Sequence, residues 1–252
     1  MKVAFSGKGG VGKTTVASAL CLHLAGKGIP VLAVDADTNP NLAGALGFEQ
    51  EVTPVSEMKK LMRERTEADP ANPGIFKLNP RVDDIPAKYA LRRGNLTLVV
   101  MGSVDKGGKG CACPENTFLR ELMSHLVIRE NEWVVMDMEA GVEHLGRATA
   151  KAVDAMVVVA EPTPRAALTA QRIMKLCADI GVRRIGGVGN KVRGEADVEF
   201  LKERFAPAPL IGWLPFKDRI GEIERTGSQG TAKGIEEAEV EKILEGIKGL
   251  AG

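Results

Sequence analysis

Residues Gly7 to Thr15 read GKGGVGKTT, a run that puts two lysines among glycines. Gly7, Gly12, Lys13 and Thr14 fall at the spacing G-x-x-x-x-G-K-[ST], which bends a backbone around phosphate groups. The glycines let the chain curl so that the N–H groups of Gly9, Gly10, Val11 and Gly12 face phosphate oxygens. Lys13 is then expected on the β- and γ-phosphates, the Thr14 hydroxyl on Mg²⁺ and Thr15 on the α-phosphate. Lys8 is surplus to this scheme, and a second ammonium beside Lys13 is repelled by it. One economical role for Lys8 is to point out of the loop towards a nucleotide held by a second subunit.

Further candidates end apolar runs. VLAVDADTNPNL carries Asp35 and Asp37, which alternation places on one side of a strand near its carboxyl end, where ligands of parallel sheets bind. WVVMDMEAG ends an apolar run in Asp137, with Gly141 four residues on. Asp137 suits a Mg²⁺-bound water or the Thr14 hydroxyl, and Gly141 leaves room for backbone to approach a γ-phosphate. GGVGNKV closes another apolar run with Asn190, whose amide matches the donor–acceptor edge of adenine. The N-K-x-D pattern of dedicated GTPases is incomplete, because Arg193 follows Asn190-Lys191-Val192; this favours ATP.

KGGKGCACPEN sets Cys111 and Cys113 two apart in a glycine-rich loop with Lys106 and Lys109 close by to favour thiolates. Two sulfurs can be aimed at one metal ion, but they leave a four-ligand zinc site half filled. Cys21 and Cys177 read as core residues, and His23, His125 and His144 lack metal-ligand spacing. Two such loops meeting at a two-fold axis would give four thiolates, tetrahedral for Zn²⁺ or square-planar for Ni²⁺. A redox pair or two incidental cysteines are the other readings.

The elements that must position these groups are short apolar runs alternating with helical stretches. Val3 to Phe5, Val31 to Val34, Leu96 to Met101, Trp133 to Met136, Ala155 to Ala160, Ile185 to Gly189 and Leu210 to Ile211 read as buried strands. Helices are expected over Thr14 to Gly26, Ala166 to Ile180 and Gly234 to Leu250. This alternation predicts an α/β fold, a doubly wound and mostly parallel sheet with helices on both faces, forming one domain over residues 1–252. Residues 51–94, with five prolines among many charges, break the rhythm. They read as an insertion with a short helix near Ser56 to Glu67 followed by surface loops, either partner-facing or a long exposed connection.

Composition narrows the function. A net charge of +1 gives no electrostatic case for nucleic acid or an anionic membrane. The last helix is acidic, whereas a membrane-surface helix is normally basic. The chain opens directly on strand-like KVAFS, so a cytoplasmic location is expected.

GKGGVGKTT resembles the deviant Walker A motif, K-G-G-x-x-K-[ST], of the MinD-like ATPases. In that family the lysine matching Lys8 crosses a dimer interface, so the resemblance implies a homodimer with nucleotide sandwiched at its seam. It also implies that Asp37 handles the attacking water, with Asp35 supporting the first switch loop or an outer-shell water of Mg²⁺. Asn41 would sense the γ-phosphate, Gly141 would belong to the second switch, and GWLPF with Pro215 would flank the base. Glu139 departs from the small residues or proline common there. CACPE together with MDMEAGVEH is similar to the branch that serves carbon monoxide dehydrogenase. That likeness implies an ATPase using ATP/ADP and Mg²⁺, with Zn²⁺ or Ni²⁺ bridging two subunits, that assists nickel insertion into the enzyme's Ni–Fe–S cluster. An iron–sulfur electron-donor ATPase and a positioning ATPase are the alternatives.

Overall fold

A computed structural model describes residues 1–69, 71–72, 74–102, 113–128, 132–139, 152–217 and 234–251. Its centre is an eight-stranded sheet in the order β3-β4-β2-β5-β1-β6-β7-β8. The strands are β1 (Lys2–Ser6), β2 (Val31–Ala36), β3 (Leu91–Arg93), β4 (Leu96–Val100), β5 (Trp133–Met138), β6 (Ala155–Ala160), β7 (Ile185–Val192) and β8 (Leu210–Pro215). All neighbours pair in parallel except β3, which runs antiparallel to β4 at the edge. Every residue of β2 and β6 is buried, as parallel strands covered on both sides require.

The described helices are α1 (Lys13–Gly26), α2 (Leu42–Ala45), α3 (Lys59–Thr66), α4 (Ile85–Tyr89), α5 (Pro114–Ile128), α6 (Pro164–Asp179), α7 (Glu195–Phe205) and α8 (Glu237–Ala251). Adjacent glycines of β7 show that both faces of the sheet are covered. A Cβ on Gly186 would lie 2.7 Å from Leu250 of α8, and one on Gly187 would lie 2.4 Å from the Phe205 ring of α7. Consecutive strand residues face opposite ways, so α7 and α8 sit on opposite sides. His23 of α1 meets Glu241 of α8 at 2.6 Å, and Lys27 pairs with the same carboxylate, which fastens these two helices together. In α8 the apolar stripe is Val240, Ile243, Leu244 and Ile247, while Ala238 is exposed.

All seven expected strands are present. Residues 51–94 hold more structure than their composition suggests: besides α3 they contain a short 3₁₀ turn (Val55–Glu57), α4 and β3. The prolines and charges hide a set of inward anchors, because Val55, Met62, Val82 and Ile85 are buried in the main core. Arg65 of α3 grips Asp84 with two hydrogen bonds of 2.9 and 2.7 Å, and Lys88 joins at 2.8 Å. The Arg65 guanidinium holds the Asp84 carboxyl well below the usual carboxylate range.

Candidate functional site

The chemistry-bearing residues collect at the carboxyl ends of the parallel strands, around the loop that joins β1 to α1. Residues Lys8 to Val11 form a turn closed by Val11 N–H donating to the Lys8 carbonyl at 3.3 Å. Gly10 takes φ +82° within it. Gly12 takes φ +89°, and a Cβ there would lie 2.1 Å from Asn190 Nδ2, so neither the conformation nor the space admits a side chain. α1 starts at Lys13 with no side-chain cap and no acidic residue in its first turn. Its leading N–H groups are therefore available to an anion, with the positive end of the helix dipole behind them.

Acids gather on one flank of this loop. Asp35 and Asp137 are register neighbours across β2 and β5, and both are fully buried. Asp35 accepts hydrogen bonds from Asp37 N–H at 3.2 Å and Leu42 N–H at 2.9 Å, so it ties down both ends of the segment after β2. β2 stops at Ala36, one residue short of Asp37, whose carboxylate lies 3.6 Å from Lys13 Nζ. Asp137 Oδ2 accepts from the Thr14 hydroxyl at 2.5 Å. Its Oδ1 is buried without a hydrogen-bond partner among the described residues. Burial raises the Asp35 carboxyl from its ordinary value to about 6, against the pull of the two N–H groups. Burial likewise raises Asp137 to about 7, opposed by the Thr14 hydroxyl and reinforced by the charge of Asp35. A buried carboxylate oxygen with nothing to bind, beside a threonine hydroxyl, fits a hydrated divalent cation such as Mg²⁺.

Amides and a lysine hold the other flank. Asn190 is buried; its Nδ2 donates to the Val11 carbonyl at 2.8 Å and its Oδ1 accepts from Lys191 N–H at 2.9 Å. The amide expected at the adenine edge thus also clamps the loop, with one N–H and one lone pair left over. Lys191 Nζ donates to the Gly10 carbonyl at 2.9 Å and lies 3.4 Å from Glu161 Oε2. Pro215 ends β8, and the next residue, Phe216, carries the Arg193 guanidinium 4.0 Å above its ring.

The remaining expectations divide. Lys8 is half-buried, and its ammonium has no ion-pair or hydrogen-bond partner among the described residues. Asn41 is exposed and donates to the Asn39 carbonyl, within its own loop. Glu139 lends its carbonyl to the Ser6 hydroxyl at 3.0 Å, linking the exits of β1 and β5. Gly141 and Cys111 lie outside the described residues. Cys113 is half-buried just before α5, where its carbonyl accepts from Thr117 N–H at 3.0 Å. Among the described residues no three His, Cys, Asp or Glu side chains converge as metal ligands. Cys21 and Cys177 are core thiols, and burial pushes Cys177 up to about 12. Sequence reasoning passed over Lys191 and Glu161; the one available signal was the lysine following Asn190, visible only as part of an incomplete motif.

A parallel sheet with a glycine loop and helix N-terminus at its centre, flanked by a threonine–aspartate pair, defines a P-loop nucleotide-binding protein. The chain belongs to the CobQ/CobB/MinD/ParA nucleotide-binding domain family, whose pattern matches residues 2–229. Within that family it is an ATPase of the MinD/ParA kind. It is 43% identical over 248 residues to an uncharacterized ATP-binding protein of Methanocaldococcus jannaschii, covering 97% of this chain and 96% of that one. It is 42% identical over 231 residues to the carbon monoxide dehydrogenase accessory protein CooC of Rhodospirillum rubrum, covering 90% and 88%. Among solved structures, a ParA family ATPase from Chlorobium tepidum superposes with a TM-score of 0.68 at 16% identity, covering 98% and 97%. MinD from Pyrococcus horikoshii, complexed with Mg-ADP, gives 0.65 at 19% identity, covering 99% and 96%. Among the described residues no helix is long and apolar enough to cross a membrane.

Proposed function

We propose that this ATPase is a maturation factor that assists nickel insertion into the Ni–Fe–S cluster of carbon monoxide dehydrogenase. The observation that carries the reading is the 42% identity to the Rhodospirillum rubrum accessory protein along nearly the full length of both chains. Nickel is the cargo in this reading, and ATP sets when it is held.

Two copies close face to face on their nucleotides. Lys13, the N–H groups of Gly9 to Gly12 and the Thr15 hydroxyl hold the phosphates, while Asn190 and Pro215 border the base. Mg²⁺, bound beside Thr14 and the free oxygen of Asp137, supplies charge neutralisation at the phosphates. Asp37 leaves Lys13 to orient the attacking water, and Asp35 keeps the loop between them in shape. Lys8, which has no anion of its own in the described part of this chain, reaches the partner's triphosphate. Asn41 and Gly141 register the γ-phosphate in the two switches. Cys111 and Cys113 of both copies converge on one Zn²⁺ or Ni²⁺ when the seam closes and part when the γ-phosphate has gone. The soft thiolate donors fit either ion.

Native mass spectrometry combined with metal analysis tests the reading. With ATP, a dimer holding about one metal ion is expected, consistent with four sulfur ligands per site. Lys8→Ala is expected to cut hydrolysis by about a hundredfold or more and to leave ADP affinity nearly unchanged. A monomer that hydrolyses ATP at full rate, or a C111A/C113A double variant that retains the metal, refutes the corresponding part.

A further inference from the structure

The penultimate residue of β7 has an unusual backbone conformation. Lys191 has φ +59°, a region that costs a residue with a side chain roughly 1 kcal/mol. Such a conformation persists where surrounding contacts hold it, and here they lead to the phosphate loop. The Lys191 N–H is bound by Asn190 Oδ1 at 2.9 Å. Its ammonium spans from the Gly10 carbonyl, at 2.9 Å, to the Glu161 carboxylate at the end of β6, at 3.4 Å. No other side chain among the described residues donates to that carbonyl.

The position of Gly10 gives the contact its consequence. Gly10 is the third residue of the turn over residues 8–11, and its carbonyl shares a rigid peptide plane with the Val11 N–H. Pinning the carbonyl on one side also fixes that N–H on the other, where it closes the turn onto the Lys8 carbonyl at 3.3 Å. Asn190 pins the next carbonyl, that of Val11, at 2.8 Å. Two consecutive peptides of a glycine-rich loop are thus fixed from β7, one by an amide and one by an ammonium. A loop of glycines has the most conformational freedom to lose on binding an anion, so fixing it beforehand lowers the cost of binding.

We infer that Lys191, with Glu161 as its counter-ion, is a positioning residue for nucleotide binding. It sets the crest of the phosphate loop in its anion-ready form before the nucleotide arrives. The inference rests on the nucleotide-binding activity of the family alone and is independent of the client, the metal and the dimer seam.

Lys191→Gly is the informative variant, because glycine accepts the left-handed backbone and removes only the side chain. Its melting temperature is expected to equal or exceed that of the parent. Its Kd for Mg-ADP by calorimetry is expected to rise about tenfold, the usual worth of a hydrogen bond from a charged group. KM for ATP should rise with it, kcat should change little, and amide exchange over residues 8–11 should quicken in the nucleotide-free protein. Lys191→Arg, which keeps a cation of similar reach, is expected to recover most of the affinity. Glu161→Gln keeps the contact to Gly10 and should weaken binding about two- to threefold, in line with a half-exposed ion pair. Unchanged ADP affinity and loop exchange in Lys191→Gly overturn the inference, as does a Lys191→Arg variant no better than the glycine. A fall in kcat at unchanged KM also overturns it, by placing Lys191 in the chemical step.

Discussion

The two flanks of the phosphate loop are built on opposite plans. On the β2–β5 side, Asp35 and Asp137 are buried as neighbours, and one Asp137 oxygen has no partner among the described residues. On the β6–β7 side, Asn190, Lys191 and Glu161 spend their polar groups on the loop and on one another. The first arrangement is costly until a cation and a nucleotide arrive, whereas the second already holds the loop before they do, with one N–H and one lone pair of Asn190 to spare. Cation binding and loop rigidity are therefore assigned to different sides of one helix N-terminus.

The strongest way to break this division is to remove chemistry from the acidic flank alone. Asp37→Asn is expected to slow hydrolysis by about 10²- to 10⁴-fold, the range for loss of a general base. ADP affinity should stay within a few-fold of the parent, as calorimetry and phosphate-release kinetics can show. If binding collapsed as well, the acidic flank would also be shaping the loop.

Gly12→Ala attacks the contact between loop and clamp. The new methyl would meet Asn190 Nδ2 at 2.1 Å in a left-handed conformation. A stability loss of about 1–2 kcal/mol from the backbone alone is expected in denaturant melts. Nucleotide binding should weaken by more than the tenfold expected of Lys191→Gly, because the methyl both displaces Asn190 and strains the loop itself.

The smallest expected effect is a pH slope. Asp35 and Asp137 titrate near 6 and 7 in the folded protein, each raised from an ordinary 3.8. Folding therefore favours their neutral forms. Their contribution is fully present below 3.8 and is lost as pH rises through about 6 and then about 7. The nucleotide-free protein should melt at progressively lower temperature from about pH 4 to about pH 7. Asp137→Asn should flatten that slope and raise the melting temperature at the alkaline end. A slope unchanged in the variant would mean that other groups govern it.

The two flanks also differ in how far the sequence reveals them. The acids are legible because each ends an apolar strand, and their spacing from the glycine loop follows a known pattern. The clamp is harder to read. Lys191 is 181 residues from Gly10 along the chain, and their contact depends on β7 lying two strands from β1. Only the sheet order, which periodicity does not supply, brings them together. The same limit applies to residues 51–94. The isolated helix there could be read, but α4 and β3 are each five residues or fewer. Segments that short carry no periodic signal, and they are held by packing and by the Arg65–Asp84 pair.

The paired glycines of β7 matter for any survey of substitutions in this chain. Gly186 and Gly187 touch no phosphate and carry no reactive group. Even one added methyl at either site would press into Leu250 or the Phe205 ring. In a mutational scan these positions would score as intolerant as the nucleotide loop itself. Their intolerance would report how thin the sheet must be between two helices, and nothing about catalysis.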